Sequence, residues 1–130
     1  SLDLQSHTMH KEWIHISEKT WQTIRSTDRK IWALGTTVVR SLEACAQGHL
    51  NKSPDGLSFE GTTQLFIQPG YQFKVVQGLL TNFHQPKSTL LALVGAFAGL
   101  ERVKASYQWA IQKNFRLFSY GDLTVWPTPR

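Results

Sequence analysis

Ile31-Trp32-Ala33-Leu34-Gly35-Thr36-Thr37-Val38-Val39-Arg40-Ser41-Leu42-Glu43 is the stretch that decides the fold class. Four apolar residues in a row read as a strand buried on both faces, and Gly35-Thr36-Thr37 turns that strand directly into a helix. Val38, Val39, Leu42, Cys45 and Ala46 fall on the inward side of the helix, and Gly48 suits the left-handed position beyond its end. The expected fold class is α/β, a largely parallel sheet flanked by helices.

Upstream of this unit, Trp13, Ile14 and Ile16 form a short β-type run, and Ser17-Glu18 reads as the cap and first-turn acid of a helix to about Arg29. Downstream, residues 49–61 hold Pro54, Asp55, Gly56 and Gly61 among polar neighbours and read as one long loop. Leu65-Phe66-Ile67 and Phe73 to Val76 are strand candidates joined by Pro69-Gly70, a pair suited to a tight hairpin turn. After Leu80 comes a polar insert, Thr81 to Lys87. Ser88 then caps a helix that is apolar on almost every face up to Gly99 and must therefore be sandwiched. Leu100, Val103, Tyr107 and Ile111 keep helical spacing to about Asn114, with Glu101 and Lys104 able to pair on the wet face. Phe115 to Phe118 reads as a last strand.

The chain has 130 residues, 41% hydrophobic and 18% charged, which suits one globular domain and excludes disorder. The longest apolar run, Thr89 to Leu100, is about half of what a bilayer-spanning helix needs, so no membrane partner is expected. Lys and Arg number 14 against 9 Asp and Glu, a formal charge of +5 that favours anionic partners. The single cysteine, Cys45, excludes an internal disulfide, and with no presequence a cytoplasmic location is expected. A chain that opens on Ser1 is expected to be a piece of a longer protein.

Several groupings carry chemistry. Gly35-Thr36-Thr37 stands where a strand gives way to a helix, so its amides and hydroxyls suit a phosphate or carboxylate, with Arg40 one turn further; the plainer role is a simple helix cap. Lys87-Ser88-Thr89 is no nucleotide-binding loop, because positions 81–86 contain no glycine. What remains there is a helix start with a cation and two hydroxyls, preceded by Asn82 and His84, which suits an anion or a sugar. His7, His10 and His15 with Glu12 have poor spacing for a shared metal, so none is expected. Tyr120-Gly121-Asp122 ends the last predicted strand, where α/β sheets bind ligands, although an ordinary turn uses the same residues. Trp32, Phe66 and Phe97 lie in apolar runs and read as core rather than as base-stacking platforms.

Together these segments resemble the S-adenosylmethionine:tRNA ribosyltransferase-isomerases of queuosine biosynthesis. The resemblance rests on Gly35 to Glu43, Leu65-Phe66-Ile67-Gln68-Pro69-Gly70-Tyr71, Leu79 to Leu91, and Phe118-Ser119-Tyr120-Gly121-Asp122, in that order, with Met9-His10 before Glu12 as a weaker point. It implies that the chain is about the last third of a longer enzyme whose inserted β-barrel domain lies upstream. The implied reaction moves the ribosyl part of adenosylmethionine onto 7-aminomethyl-7-deazaguanine at the wobble position of a tRNA with a GUN anticodon. Epoxyqueuosine, adenine and methionine are the implied products. Adenosylmethionine is then a consumed substrate, and no cofactor or metal is implied. The longer enzyme is expected to be a monomer, and this chain alone to self-associate through surface its missing part would cover.

That chemistry needs a base to form a carbon nucleophile beside a sulfonium, and an acid near the departing adenine nitrogen. Asp122 and His84 are the catalytic candidates. Lys87, Ser88 and Arg40 suit the methionine carboxylate or a tRNA phosphate; Asn82 and Thr37 suit sugar hydroxyls; Gly35, Thr36, Thr89 and Tyr120 complete the expected substrate-binding set. Three features depart from the family pattern: Gln77 where an acid is expected, Gln85 where an aliphatic residue is expected, and the ending Val125-Trp126-Pro127. Two alternatives therefore stand beside the enzyme, a diverged or truncated tRNA-binding module without catalysis and a small stand-alone α/β protein with an anion site at Gly35 to Arg40.

Overall fold

A computed structural model of the chain describes residues 12–82, 89–115 and 123–128. The elements run β1 (Glu12–Ser17), α1 (Glu18–Ser26), β2 (Trp32–Leu34), α2 (Thr36–Ala46), β3 (Asn51–Lys52), β4 (Ser58–Thr63), β5 (Gly78–Asn82), α3 (Thr89–Ala98), α4 (Leu100–Gln112) and β6 (Leu123–Pro127). They form two three-stranded sheets, ordered β1-β4-β3 and β2-β5-β6.

The α/β class is correct, but the largely parallel sheet is not. Among the described residues only β2 and β5 run parallel; β1/β4, β3/β4 and β5/β6 are antiparallel. The reason lies in the segment read as one loop. Residues 51–63 are a hairpin, β3 and β4, and β4 pairs along all six residues of β1. Ser58-Phe59-Glu60-Gly61-Thr62-Thr63 carries too few apolar residues to announce a strand. Its place is set by cross-strand pairing, which sets Ser58 opposite Ser17 and Thr63 opposite Glu12, both buried.

The expected hairpin at 65–76 is also corrected, since both arms are irregular and the strand is Gly78–Asn82 instead. The amides that a strand would offer a neighbour are already taken: Lys74, Val75 and Val76 donate theirs to the carboxylate of Glu43 at 2.8, 2.9 and 2.9 Å. The last predicted strand fails at its start, because the Phe115 amide donates back to the Ala110 carbonyl at 3.0 Å and closes the end of α4, while residues 116–118 lie outside the described residues.

Local signals in the helices held in the main, although Val38, expected on the inward side of α2, is exposed. Ser17 caps α1 by accepting from the Thr20 amide at 3.1 Å, and Gly48 takes φ +82° after α2. In α3, Leu91 to Val94 and Ala96 to Phe97 are buried, packed against α4 and β6. On α4, Val103, Tyr107 and Ala110 face inward, and Lys104 pairs with Glu101 at 3.9 Å; Ile111, expected inside, is 56% exposed.

β2 is not buried on both faces. Ala33, Leu79, Trp126, Thr81 and Thr124 line the covered side of its sheet, whereas Trp32, Leu34, Leu123 and Val125 stand on the other side at 44% to 71% exposure. Trp32 lies across Gly78 so closely that a Cβ there would meet ring carbons at 2.3 to 2.5 Å, so only glycine fits opposite it. This half-exposed apolar face should drive self-association. Sedimentation of the isolated chain is expected to show concentration-dependent growth in mass, and Leu34→Glu with Val125→Glu should return a monomer. A monomer at high concentration without the substitutions would sink this expectation.

Candidate functional site

The parallel pair β2 and β5 brings two motif segments to one end of the sheet. Leu34 pairs with Leu80, and the Gly35 amide donates to the Leu80 carbonyl at 2.8 Å, which sets the start of α2 beside Thr81 and Asn82. Leu123, where the chain re-enters the sheet, pairs with Asn82 at the same end. Carboxyl ends of parallel strands are where open α/β sheets bind ligands.

Gly35 is the N-cap residue of α2, with φ +96° and no side-chain hydrogen bond closing the cap. Neither Thr36 nor Thr37 caps the helix. The first-turn amides thus point outward beside a half-buried Thr36 and an exposed Thr37, with the positive end of the helix dipole behind them. Such an end can hold a carboxylate or phosphate, and the hydroxyls with Asn82 can bond a sugar.

Arg40 lies apart from this end. It is 7% exposed and pairs with Glu12 at the start of β1. Its Nε and Nη2 are buried without an acceptor among the described residues. Thr89 opens α3, its side chain outside the described residues, and His84, Lys87, Ser88, Tyr120 and Asp122 also lie outside them. His15 of the histidine group sits across from Glu60 at 3.9 Å, and no group of three metal-ligating residues clusters among the described residues. No helix among them is long and apolar enough to cross a membrane.

Glu43, in the first motif string, has a structural role that its sequence context does not announce. It is fully buried, and its carboxylate accepts four hydrogen bonds: the three amides of residues 74–76 and the Tyr71 hydroxyl at 2.9 Å. Gln47, one turn further on α2, donates to the same hydroxyl at 2.8 Å. The available signal was an acid four residues after Val39 on the apolar side of a helix, a place where an unpaired charge is untenable.

Burial pushes the Tyr71 hydroxyl up to about 12; the Gln47 hydrogen bond opposes this, and the charge of Glu43 adds to it. The folded chain thus keeps its proton where the unfolded chain has lost it. The stabilising contribution is fully present below pH 10 and is lost as pH rises from 10 toward 12. Alkaline melts of the wild type should lose stability across that window more steeply than Tyr71→Phe, and parallel curves would remove Tyr71 as the cause. Burial also raises the Cys45 thiol, leaving it a poor nucleophile.

Gln77 makes three backbone connections at the other end of the sheet. Its side-chain oxygen accepts from the Ile31 amide at 2.9 Å, its own amide donates to the Ile31 carbonyl at 2.8 Å, and its carbonyl accepts from Thr128. A carboxylate oxygen would accept from Ile31 equally well, so the amide preserves the contact that the expected acid could make.

Compared with known proteins, residues 1–125 match the model of a family described as queuosine biosynthesis protein. The chain is 50% identical over 123 residues to the S-adenosylmethionine:tRNA ribosyltransferase-isomerase of Polynucleobacter asymbioticus, covering 92% of this chain and 33% of that protein. The enzyme of the same name from Prochlorococcus marinus is 50% identical over 123 residues, with 92% and 32% covered. Among solved structures, S-adenosylmethionine tRNA ribosyltransferase from Thermotoga maritima superposes with a TM-score of 0.75 at 41% identity, over 85% of this chain and 39% of that one. The chain thus spans about a third of the length of the curated relatives it matches.

Proposed function

Because the chain belongs to the queuosine biosynthesis protein family, we propose that it forms the C-terminal third of a cytoplasmic S-adenosylmethionine:tRNA ribosyltransferase-isomerase. The observation that carries this reading is the meeting of two motif segments at one sheet end, where an uncapped helix start, Thr36, Thr37 and Asn82 stand together. In this reading the α2 amides hold the methionine carboxylate or a tRNA phosphate, and Thr37 and Asn82 bond ribose hydroxyls. Lys87, Ser88 and Thr89 extend the anion and sugar contacts, with Tyr120 against the substrate.

Asp122 takes a proton from the carbon beside the sulfonium, and His84 supplies a proton or hydrogen bond to the departing adenine. The ribosyl carbons pass to the aminomethyl group of the 7-deazaguanine of a GUN-anticodon tRNA, methionine leaves with the sulfur's electron pair, and the epoxide closes. Adenosylmethionine is consumed, and the sequence of steps calls for no metal. Arg40 carries buried donors beyond those that Glu12 can satisfy, which suits an anionic group contributed from outside the described residues.

The test is adenine release from adenosylmethionine with tRNA carrying 7-aminomethyl-7-deazaguanine. Two proteins are compared: this chain alone, and a chimera in which it replaces the matching third of the Polynucleobacter asymbioticus enzyme. The chimera is expected to release adenine and the chain alone to release none. No release from a folded chimera defeats the enzyme reading and leaves the tRNA-binding module.

A further inference from the structure

Opposite the candidate site, at the end of the sheet marked by Ile31, Gln77 and Thr128, lies a cleft of about 680 Å³. Arg25 of α1, Arg29 of the following loop and Lys74 of the segment before β5 line it, and among the described residues no acidic one does; Asp28, next to Arg29 in sequence, stands outside. A second recess of about 510 Å³ shares Gly70, Ala96 and Thr128 with the first and adds Arg102 of α4, again with no acid among the described residues. The two recesses adjoin along these shared residues and are taken together as one groove. None of these four cations has a carboxylate partner among the described residues, although Arg40, Lys52 and Lys104 do. Arg25 is further braced by the Trp21 ring, 5.7 Å from its centroid.

We propose that this groove binds the phosphate backbone of an RNA strand that reaches past the reacting nucleotide. Four exposed cations from four separate segments, spread over two joined recesses, suit successive charges of a polyanion better than one small anion. The backbone amides of residues 74–76 could have formed a cradle for a single phosphate, but Glu43 has taken all three. Contacts through long side chains alone position a backbone without reading bases. From Gly78 to Asn82 the strand rises about 13 Å, so the groove is too far from the candidate site for the reacting sugar and within reach of neighbouring nucleotides. This inference takes its ligand from the tRNA reading above.

The experiment is equilibrium binding of a labelled anticodon stem-loop RNA to the 130-residue chain over a salt series. Four contacts predict a log–log slope near −3, and Arg29→Ala/Lys74→Ala/Arg102→Ala should flatten it by about 2 while weakening binding roughly 10- to 100-fold at low salt. Thermal melts confirm that the variant is folded. Lys19→Ala/Lys104→Ala/Lys113→Ala removes the same charge away from the groove and should change the slope much less; equal changes in both variants, or none in either, overturn the proposal. Displacement of RNA by inorganic phosphate beyond what sodium chloride of equal ionic strength achieves marks a single-anion pocket and also overturns it. Groove-dependent RNA binding with an inactive chimera defeats the reaction alone, and adenine release with an unchanged slope defeats the groove alone.

Discussion

Asp122→Asn in the full-length chimera is expected to slow adenine release by about 10²- to 10⁴-fold, the range a positioned general base contributes. Asparagine keeps the shape of the side chain and can still bond a nearby backbone amide, so a residue with a purely local structural role would tolerate it. What asparagine cannot do is accept a proton from carbon. The KM for tRNA should stay near the wild-type value while kcat collapses, and Asp122→Glu should recover part of the rate. Near-normal turnover in Asp122→Asn would dismiss this carboxylate as the base and leave His84 as the remaining candidate.

Glu43→Ala is expected to cost about 4 kcal/mol, a large share of the 5 to 15 kcal/mol that holds a domain of this size together. The substitution removes the acceptor that now satisfies the amides of Lys74, Val75 and Val76 and the Tyr71 hydroxyl. Glu43→Gln tests whether acceptor chemistry or shape matters. Each carboxylate oxygen accepts two hydrogen bonds, so whichever oxygen becomes an amide nitrogen meets two donors with a donor, and most of the loss should persist. Melts are expected to fall by more than about 10 °C for the alanine variant. A fall of only a degree or two would mean that the 69–77 segment finds other partners and that Glu43 does not pin it. The same variant should weaken RNA binding, because that segment carries Lys74 into the groove.

The elements that were legible share one property: their signal is local. Ser17 caps α1 through an amide three residues away, Gly48 takes a backbone conformation that side chains resist, and α3 is apolar on every face, so burial follows wherever it packs. The run Ile31 to Leu34 followed by Gly35-Thr36-Thr37 likewise specified a strand and a helix whatever their surroundings. The candidate site was legible as motif strings, and Gly35, Thr36, Thr37 and Asn82 do meet at one sheet end. Their meeting depends on the parallel register of β2 with β5, which no single segment encodes.

Long-range pairing, by contrast, decided where backbone donors found acceptors far along the chain. Phe73 to Val76 has strand composition, yet Glu43, about thirty residues upstream, takes its amides and holds it out of both sheets. Ser58 to Thr63 has loop composition, yet the open backbone of β1 draws it into a six-residue ladder. Sequence by itself determined the family, the helices and the βα unit, because those rest on side chains within a turn or two of each other. The antiparallel majority of the strands, the exposed apolar face of β2-β5-β6 and the cationic groove were settled by pairing and packing between segments mostly distant in the chain, where local preference is weaker than the requirement that every buried polar group find a partner.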